Sequence, residues 1–191
     1  MYPDIPALTI FIIVVAFSPG PNNFLASYSG FNFGIKKTAP LIFGVTFGFP
    51  ILLIAVNSGL MIVFKQFEMF QEIITILGSI FLLYLSYKIA TTGKTKVKDI
   101  KNPAKFLNML IFQFINPKAV IVAIIMVSTF ISQKENFLRD TLIVVSFSIF
   151  FSFLSISSWT LLGKFLQRFA NNEKFLRVYN YVMSFLLIIC V

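Results

Sequence analysis

The stretch "AFSPGPNNFL" (residues 16–25) decides the fold. It puts two prolines, a glycine and two asparagines in the middle of an uncharged run from Ile5 to Ile35. Proline has no amide hydrogen and its ring crowds the preceding turn. The residue before a proline is also pushed out of the helical region. Ser18 and Gly20 each precede a proline, so a helix must stop here. A new one can begin at Pro21, since proline suits the first helical position behind a Ser, Asn or Gly cap. A second stretch, "FINPKAV" (114–120), repeats the device with Asn116 as cap and Pro117 as first residue. Ser18, Pro19, Pro21 and Pro117 are therefore the expected helix-break residues.

The rest of the chain says what these breaks interrupt. Of 191 residues, 58% are hydrophobic and 12% charged, far too apolar a balance for a soluble domain. Uncharged runs cover 5–35, 38–64, 73–87, 119–133, 141–163 and 178–191. A spanning helix needs about 20 mostly apolar residues. Three runs reach that alone, and the third, fourth and last need their flanks. The expected fold is an all-α integral membrane protein with six transmembrane helices and little mass outside the bilayer. The N-terminus has no basic segment before its apolar run, so the first span is expected to be retained rather than cleaved as a signal peptide.

The net charge of +9 does not point to nucleic acid, because the lysines and arginines sit in short connections between spans. The first connection holds Lys36 and Lys37. The third holds Lys88, Lys94, Lys96, Lys98, Lys101 and Lys105, and the fifth Lys164, Arg168, Lys174 and Arg177. The second and fourth hold only Lys65, Lys134 and Arg139. The positive-inside rule then places the odd-numbered connections in the cytoplasm and both termini outside, in a multi-pass membrane protein. The polar connection "KIATTGKTKVKDIKNPAK" (88–105) divides one transmembrane domain, 1–191, into halves of about 1–90 and 106–191. Three spans is an odd number, so the halves run in opposite directions, and each opens with a proline-broken span. This is the pattern of two inverted three-helix repeats with discontinuous first and fourth helices, as in transporters whose site lies at the paired breaks.

Each half-helix that starts inside the bilayer presents free amide hydrogens and about half a positive charge. Two such ends, with Lys118 beside one, suit a carboxylate. Lys118 lies about 13 residues past Lys105, roughly 20 Å along a helix, too deep to reach the interface easily. It is either a substrate ligand or a structural lysine bonded to carbonyls freed by the break. Candidate substrate-binding residues are Gly20, Asn22, Asn23, Asn57, Gln113, Asn116 and Lys118. For Asn57, interhelical glue and ligand contact are equally compatible with its position. "GVTFG" (44–48) is a small-residue motif suited to helix packing. In the fifth span, Ser155, Ser157, Ser158 and Trp159 suit cavity lining or packing equally. There is no histidine, and no aspartate or glutamate lies deep in a span, which argues against a membrane protease, a metal site or an acidic proton relay. Cys190 is the single cysteine, so no disulfide or CxxC is expected and it reads as a small apolar residue. No catalytic residue and no cofactor are expected.

At "SPGPN" (18–22), "NPKA" (116–119) and the glycine pair of "GVTFG", the chain resembles the lysine exporter (LysE/RhtB) family of bacterial amino-acid exporters. "YKIATTG" (87–93), "FQFINPK" (112–118), "STF" (128–130) and "SSWTLLGKFLQRF" (157–169) look most like its cysteine/O-acetylserine branch. Gln113 and Met109 depart from the pattern of many members. The resemblance implies efflux of amino acids or their derivatives by alternating access. With no carboxylate in the spans, a second positive charge on the substrate has no partner, which favours small neutral amino acids; the resemblance ranks cysteine and O-acetylserine first, then homoserine, threonine or leucine. The implied partners are that substrate and the bilayer, and a homo-oligomer is compatible with both. The alternatives are a non-transporting scaffold or accessory subunit, or an exporter of a basic amino acid or other small metabolite.

Overall fold

The computed structural model describes residues 3–60, 68–91, 103–132 and 136–190. Lys65, Lys94, Lys96, Lys98, Lys101 and Lys134, with most of the 88–105 connection, lie outside the described residues. The described residues are helical almost throughout: α1 (Ile5–Phe17), α2 (Pro21–Ala55), α3 (Glu68–Ala90), α4 (Phe106–Ile115), α5 (Pro117–Phe130), α6 (Phe137–Leu166) and α7 (Glu173–Ile189). A π turn, Val56–Leu60, extends α2, and a short 3-10 turn, Gln167–Phe169, follows α6. α1 and α7 begin behind ordinary caps, whereas the starts of α4 and α6 have no side-chain cap. Asp4 accepts from the Ala7 amide, and Asn172 accepts from those of Lys174 and Phe175.

The prolines act where the chain chemistry says they must. Pro21 and Pro117 are the first residues of α2 and α5. Three residues separate α1 from α2, whereas Asn116 alone separates α4 from α5, which meet at a bend of 69°. α2 itself turns at Gly34, where φ is 74° and ψ 175°, a conformation that side-chain-bearing residues avoid. It is therefore two arms: one running from the first break to Gly34, the other returning from Ile35.

Among the described residues, two helical stretches, Pro21–Gly59 with its turn at Gly34 and Phe137–Phe169, are by length and composition long and apolar enough to cross a membrane, and the bent α4–α5 pair makes a third if it is one span. The outer surface agrees with an apolar solvent: Ile10, Val14, Ile80, Tyr87, Leu138 and Phe185 are each more than half exposed. Such side chains, here on α1, α3, α6 and α7, are costly in water and natural in lipid.

Inside, the apolar residues form two clusters on either side of the breaks. One joins Leu8 and Ile12 of α1 to Leu52 and Val56 of α2, Met126 and Phe130 of α5, and Val144 of α6. The other joins Phe24, Phe31 and Leu41 of α2 to Met109 of α4 and Tyr179 and Met183 of α7. The returning arm of α2 and α6 run antiparallel. Asn57 Nδ2 donates to Thr141 Oγ1 at 2.9 Å at one end, and Gly34 lies beside the Lys164 ammonium at the other. Exposed Lys36, Lys37, Lys164 and Arg168 thus share one end of the bundle. "GVTFG" sits where the second α2 arm meets α4, Gly44 against Phe106 and Met109, Gly48 against Leu110 and Gln113. α3 and α7 meet through a reciprocal pair: Ser86 Oγ donates to the Ser184 carbonyl at 3.0 Å, and Ser184 Oγ to the Ser86 carbonyl at 2.9 Å.

Candidate functional site

The first break leaves α1 through Ser18, with φ −61° and ψ 147°, and crosses to α2 through a fully extended Gly20. The second passes through Asn116 at φ −82° and ψ 108°. A helix that begins this way has no internal acceptor for its first-turn amides. No side chain caps either start. Gly20 has none to offer. Asn116 occupies the capping position expected for it, yet its side-chain oxygen is buried without a hydrogen-bond partner. The amides of Asn22, Asn23, Lys118 and Ala119 are thus left to whatever enters between the two helix ends.

What lies between them is a cavity of about 80 Å³. Gly20, Pro21, Asn22 and Asn23 line it from the first break, and Asn116, Lys118 and Ala119 from the second. Val45 and Phe49 of α2 and Met126 of α5 form apolar wall, and Ser148, Ser152 and Ser155 of α6 form a polar one. No Asp or Glu is among its lining residues.

The freed carbonyls at the end of α1 and in the first break are taken by the side chains of Lys118, Asn23, Ser155 and Ser18. Lys118 Nζ donates to Ser18 Oγ at 2.8 Å, to the Pro19 carbonyl at 3.1 Å and to the Ser18 carbonyl at 3.2 Å. These contacts match the three donors of an ammonium group. Gly20 permits the approach, since a Cβ there would lie 2.9 Å from Nζ and 3.0 Å from Cδ of the lysine. Asn23 Nδ2 donates to the carbonyls of Ala16 and Ser18, both at 2.8 Å. Ser155 Oγ donates to the Ala16 carbonyl at 2.7 Å, and Ser18 Oγ to that of Val15 at 2.9 Å. Among the described residues, the hydrogen-bond partners of the Lys118 ammonium are neutral oxygens, which makes the cavity attractive to an anion.

At the second break the bonding is neutral. Asn22 Nδ2 donates to Gln113 Oε1 at 2.8 Å, and Gln113 Nε2 returns to Asn22 Oδ1 at 3.2 Å and to the Met109 carbonyl at 2.8 Å. Gln113 is fully buried.

Six of the seven sequence-predicted residues come together. Gly20, Asn22, Asn23, Asn116 and Lys118 line the cavity, and Gln113 adjoins it through Asn22. Asn57 does not join them; it binds Thr141 where the π turn meets the start of α6. Of the fifth-span group, Ser155 faces the cavity, whereas Ser158 is exposed and donates to Leu154 of its own helix. Ser148 and Ser152 were missed, although with Ser155 they recur at four and three residues, the spacing of one helix face. Asp140 was missed as well. It is fully buried at the start of α6, where it accepts from the Ser132 amide at 3.1 Å and pairs with Arg139 at 3.0 Å.

Residues 13–190 match a family described as LysE type translocator. Three relatives bear the name cysteine/O-acetylserine efflux protein. The one from Salmonella typhi is 26% identical over 96% of this chain and 93% of its own. That from Escherichia coli K12 is 27% identical over the same shares, and that from Klebsiella pneumoniae is 25% identical over 97% and 94%. No solved structure matches.

Proposed function

Since the chain belongs to the LysE type translocator family, and so moves a solute rather than transforming one, we propose that it exports small neutral amino acids across the bacterial inner membrane. Cysteine and O-acetylserine rank first, as in the names of the relatives, followed by homoserine, threonine and leucine. The observation that carries this reading is the pair of uncapped helix starts and Lys118 around one carboxylate-free cavity. Amide donors at helix starts favour a carboxylate. A cationic side chain would find no counter-charge there, at a cost of a few kcal/mol.

In this reading the protein has six spans. α1 with the first arm of α2 makes the first, the second arm of α2 the second, α3 the third, α4 with α5 the fourth, and α6 and α7 the last two. They form two inverted three-helix repeats with both termini outside. The clustering of Lys36, Lys37, Lys164 and Arg168 at one end supports a cytoplasmic location for that end. The reciprocal Ser86–Ser184 contact supports a two-fold relation between α3 and α7. Because the cavity lies between two apolar clusters, opening one at a time gives alternating access. The test is export from overexpressing cells across a panel of neutral and basic amino acids. Cysteine, O-acetylserine or another small neutral amino acid should accumulate in the medium. Efflux of lysine or arginine alone would overturn the substrate class, and no efflux of anything would favour the scaffold.

A further inference from the structure

Taking the chain to be an amino-acid exporter, as proposed above, we infer that substrate enters the site by exchange: a zwitterionic amino acid displaces the bridge that Lys118 makes to the first break. The ε-ammonium of Lys118 donates to the Ser18 carbonyl, Ser18 Oγ and the Pro19 carbonyl, about 100 residues away in sequence and in the other half of the chain. A substrate carboxylate that draws Nζ toward the cavity leaves those three oxygens, half-buried at Ser18 and exposed at Pro19, without a donor, and acceptors left unpaired within a bilayer core are costly. A substrate α-ammonium carries three N–H donors, the same number as the lysine. It can replace the lysine at Ser18 and Pro19 while the carboxylate takes Nζ and the first-turn amides of α2 and α5. The alternatives for the ammonium are fewer than the residue types suggest. Asn22 Oδ1 and Gln113 Oε1 accept from each other's amides, and Asn23 Oδ1 accepts from Ser155 Oγ at 3.4 Å, which leaves the unpartnered Asn116 Oδ1 as the one side-chain amide oxygen of the site open to it.

Exchange makes a demand that a plain anion site does not. A ligand with only a carboxylate strands the carbonyls, and one with only an amine strands Lys118, so both groups are needed on one molecule. It also ties occupancy to the contact between the two halves, because filling the site breaks a direct bond between α5 and the end of α1.

The experiment is uptake of labelled cysteine into proteoliposomes of the full chain under reducing conditions, with three competitors: cysteine, 3-mercaptopropionate (no amine) and cysteamine (no carboxylate). Each half-molecule should compete at least about tenfold more weakly than cysteine, the effect of one charged hydrogen bond left unmade. If 3-mercaptopropionate competes as well as cysteine, exchange is overturned and a simple anion site with transport intact remains. If no amino acid from a panel of cysteine, homoserine and leucine moves, the exporter reading falls and exchange with it. Ser18→Ala separates exchange from a fixed ammonium pocket. Removing Ser18 Oγ weakens the bridge that a carboxylate must displace, so the inhibition constant of 3-mercaptopropionate should fall about tenfold. A fixed pocket, or a purely structural Ser18, leaves that constant where it was and overturns the proposal.

Discussion

The two helix breaks solve the same problem with different chemistry. The first spends three residues, Ser18, Pro19 and Gly20, and exposes a run of carbonyls. The second spends one, Asn116, and bends the chain by 69°. In each case a side chain from the second residue of the half-helix at the other break reaches across. Lys118, second in α5, goes to Ser18 and Pro19, and Asn22, second in α2, goes to Gln113. One crossing carries a charge and ends on oxygens that can accept any ammonium. The other is a neutral amide pair in which each partner both gives and accepts. The two crossings are unequal, with one suited to exchange with substrate and one suited to holding the halves in register.

The largest effect should come from the charged crossing. Lys118→Met should cut export by about a hundredfold or more, as charged hydrogen bonds contribute about 1.5–3 kcal/mol each. Protein abundance in the membrane, read by immunoblot, should hold. Lys118→Arg should also impair export, because the planar guanidinium is larger and cannot present three converging donors. Loss of protein in both variants would make the charged crossing as structural as the neutral one and erase the contrast.

The breaks themselves should respond unequally next. Alanine in place of proline regains an amide and removes a clash, and the difference in a helix interior is about 3 kcal/mol. Pro117→Ala lets α4 and α5 fuse, because Asn116 is all that separates them, and the first-turn amides then find helical acceptors. Export should fall about tenfold while thermal stability in detergent holds or rises, the expected trade at a strained site. Pro21→Ala leaves Pro19 and Gly20 in place, so its loss should be the smaller of the two. Equal transport by both variants and the parent chain would dissociate the breaks from function.

The position of both breaks was legible to the residue, because proline acts through its own ring and its missing amide, which need no tertiary context. What Lys118 touches was not legible. Its acceptors lie about 100 residues earlier, and only the packing of one half on the other brings them within 3.2 Å. The bonding described for it in advance as structural, to carbonyls freed by a break, is the one present, though at the opposite break. Asn57 shows the reverse case. A polar residue in an apolar run has no local sign of which neighbour it meets, and it meets Thr141 instead of the cavity. The serine face of α6 needed only a longer look at spacing, since Ser148, Ser152 and Ser155 share a helix face that Ser157 and Ser158 do not.

The smallest effect should come from the neutral crossing. Asn22 and Gln113 exchange two hydrogen bonds across the halves, and Gln113 is anchored by a third to Met109. Because neither carries charge, removing one partner strands an amide that was already half satisfied by its surroundings. Asn22→Ala and Gln113→Ala should each lower thermal stability, and the double variant should lower it by less than their sum. The coupling expected from such a cycle is about 1 kcal/mol. Export per molecule should move only about two- to threefold, which corresponds to well under 1 kcal/mol. The amides at the α2 start remain free to meet substrate whether or not Asn22 keeps its side-chain partner. A stability coupling near zero would show that this pair does not hold the halves in register. An export loss as large as that of Lys118→Met would mean that the neutral crossing, too, contacts substrate, and the division of labour between the breaks would be gone.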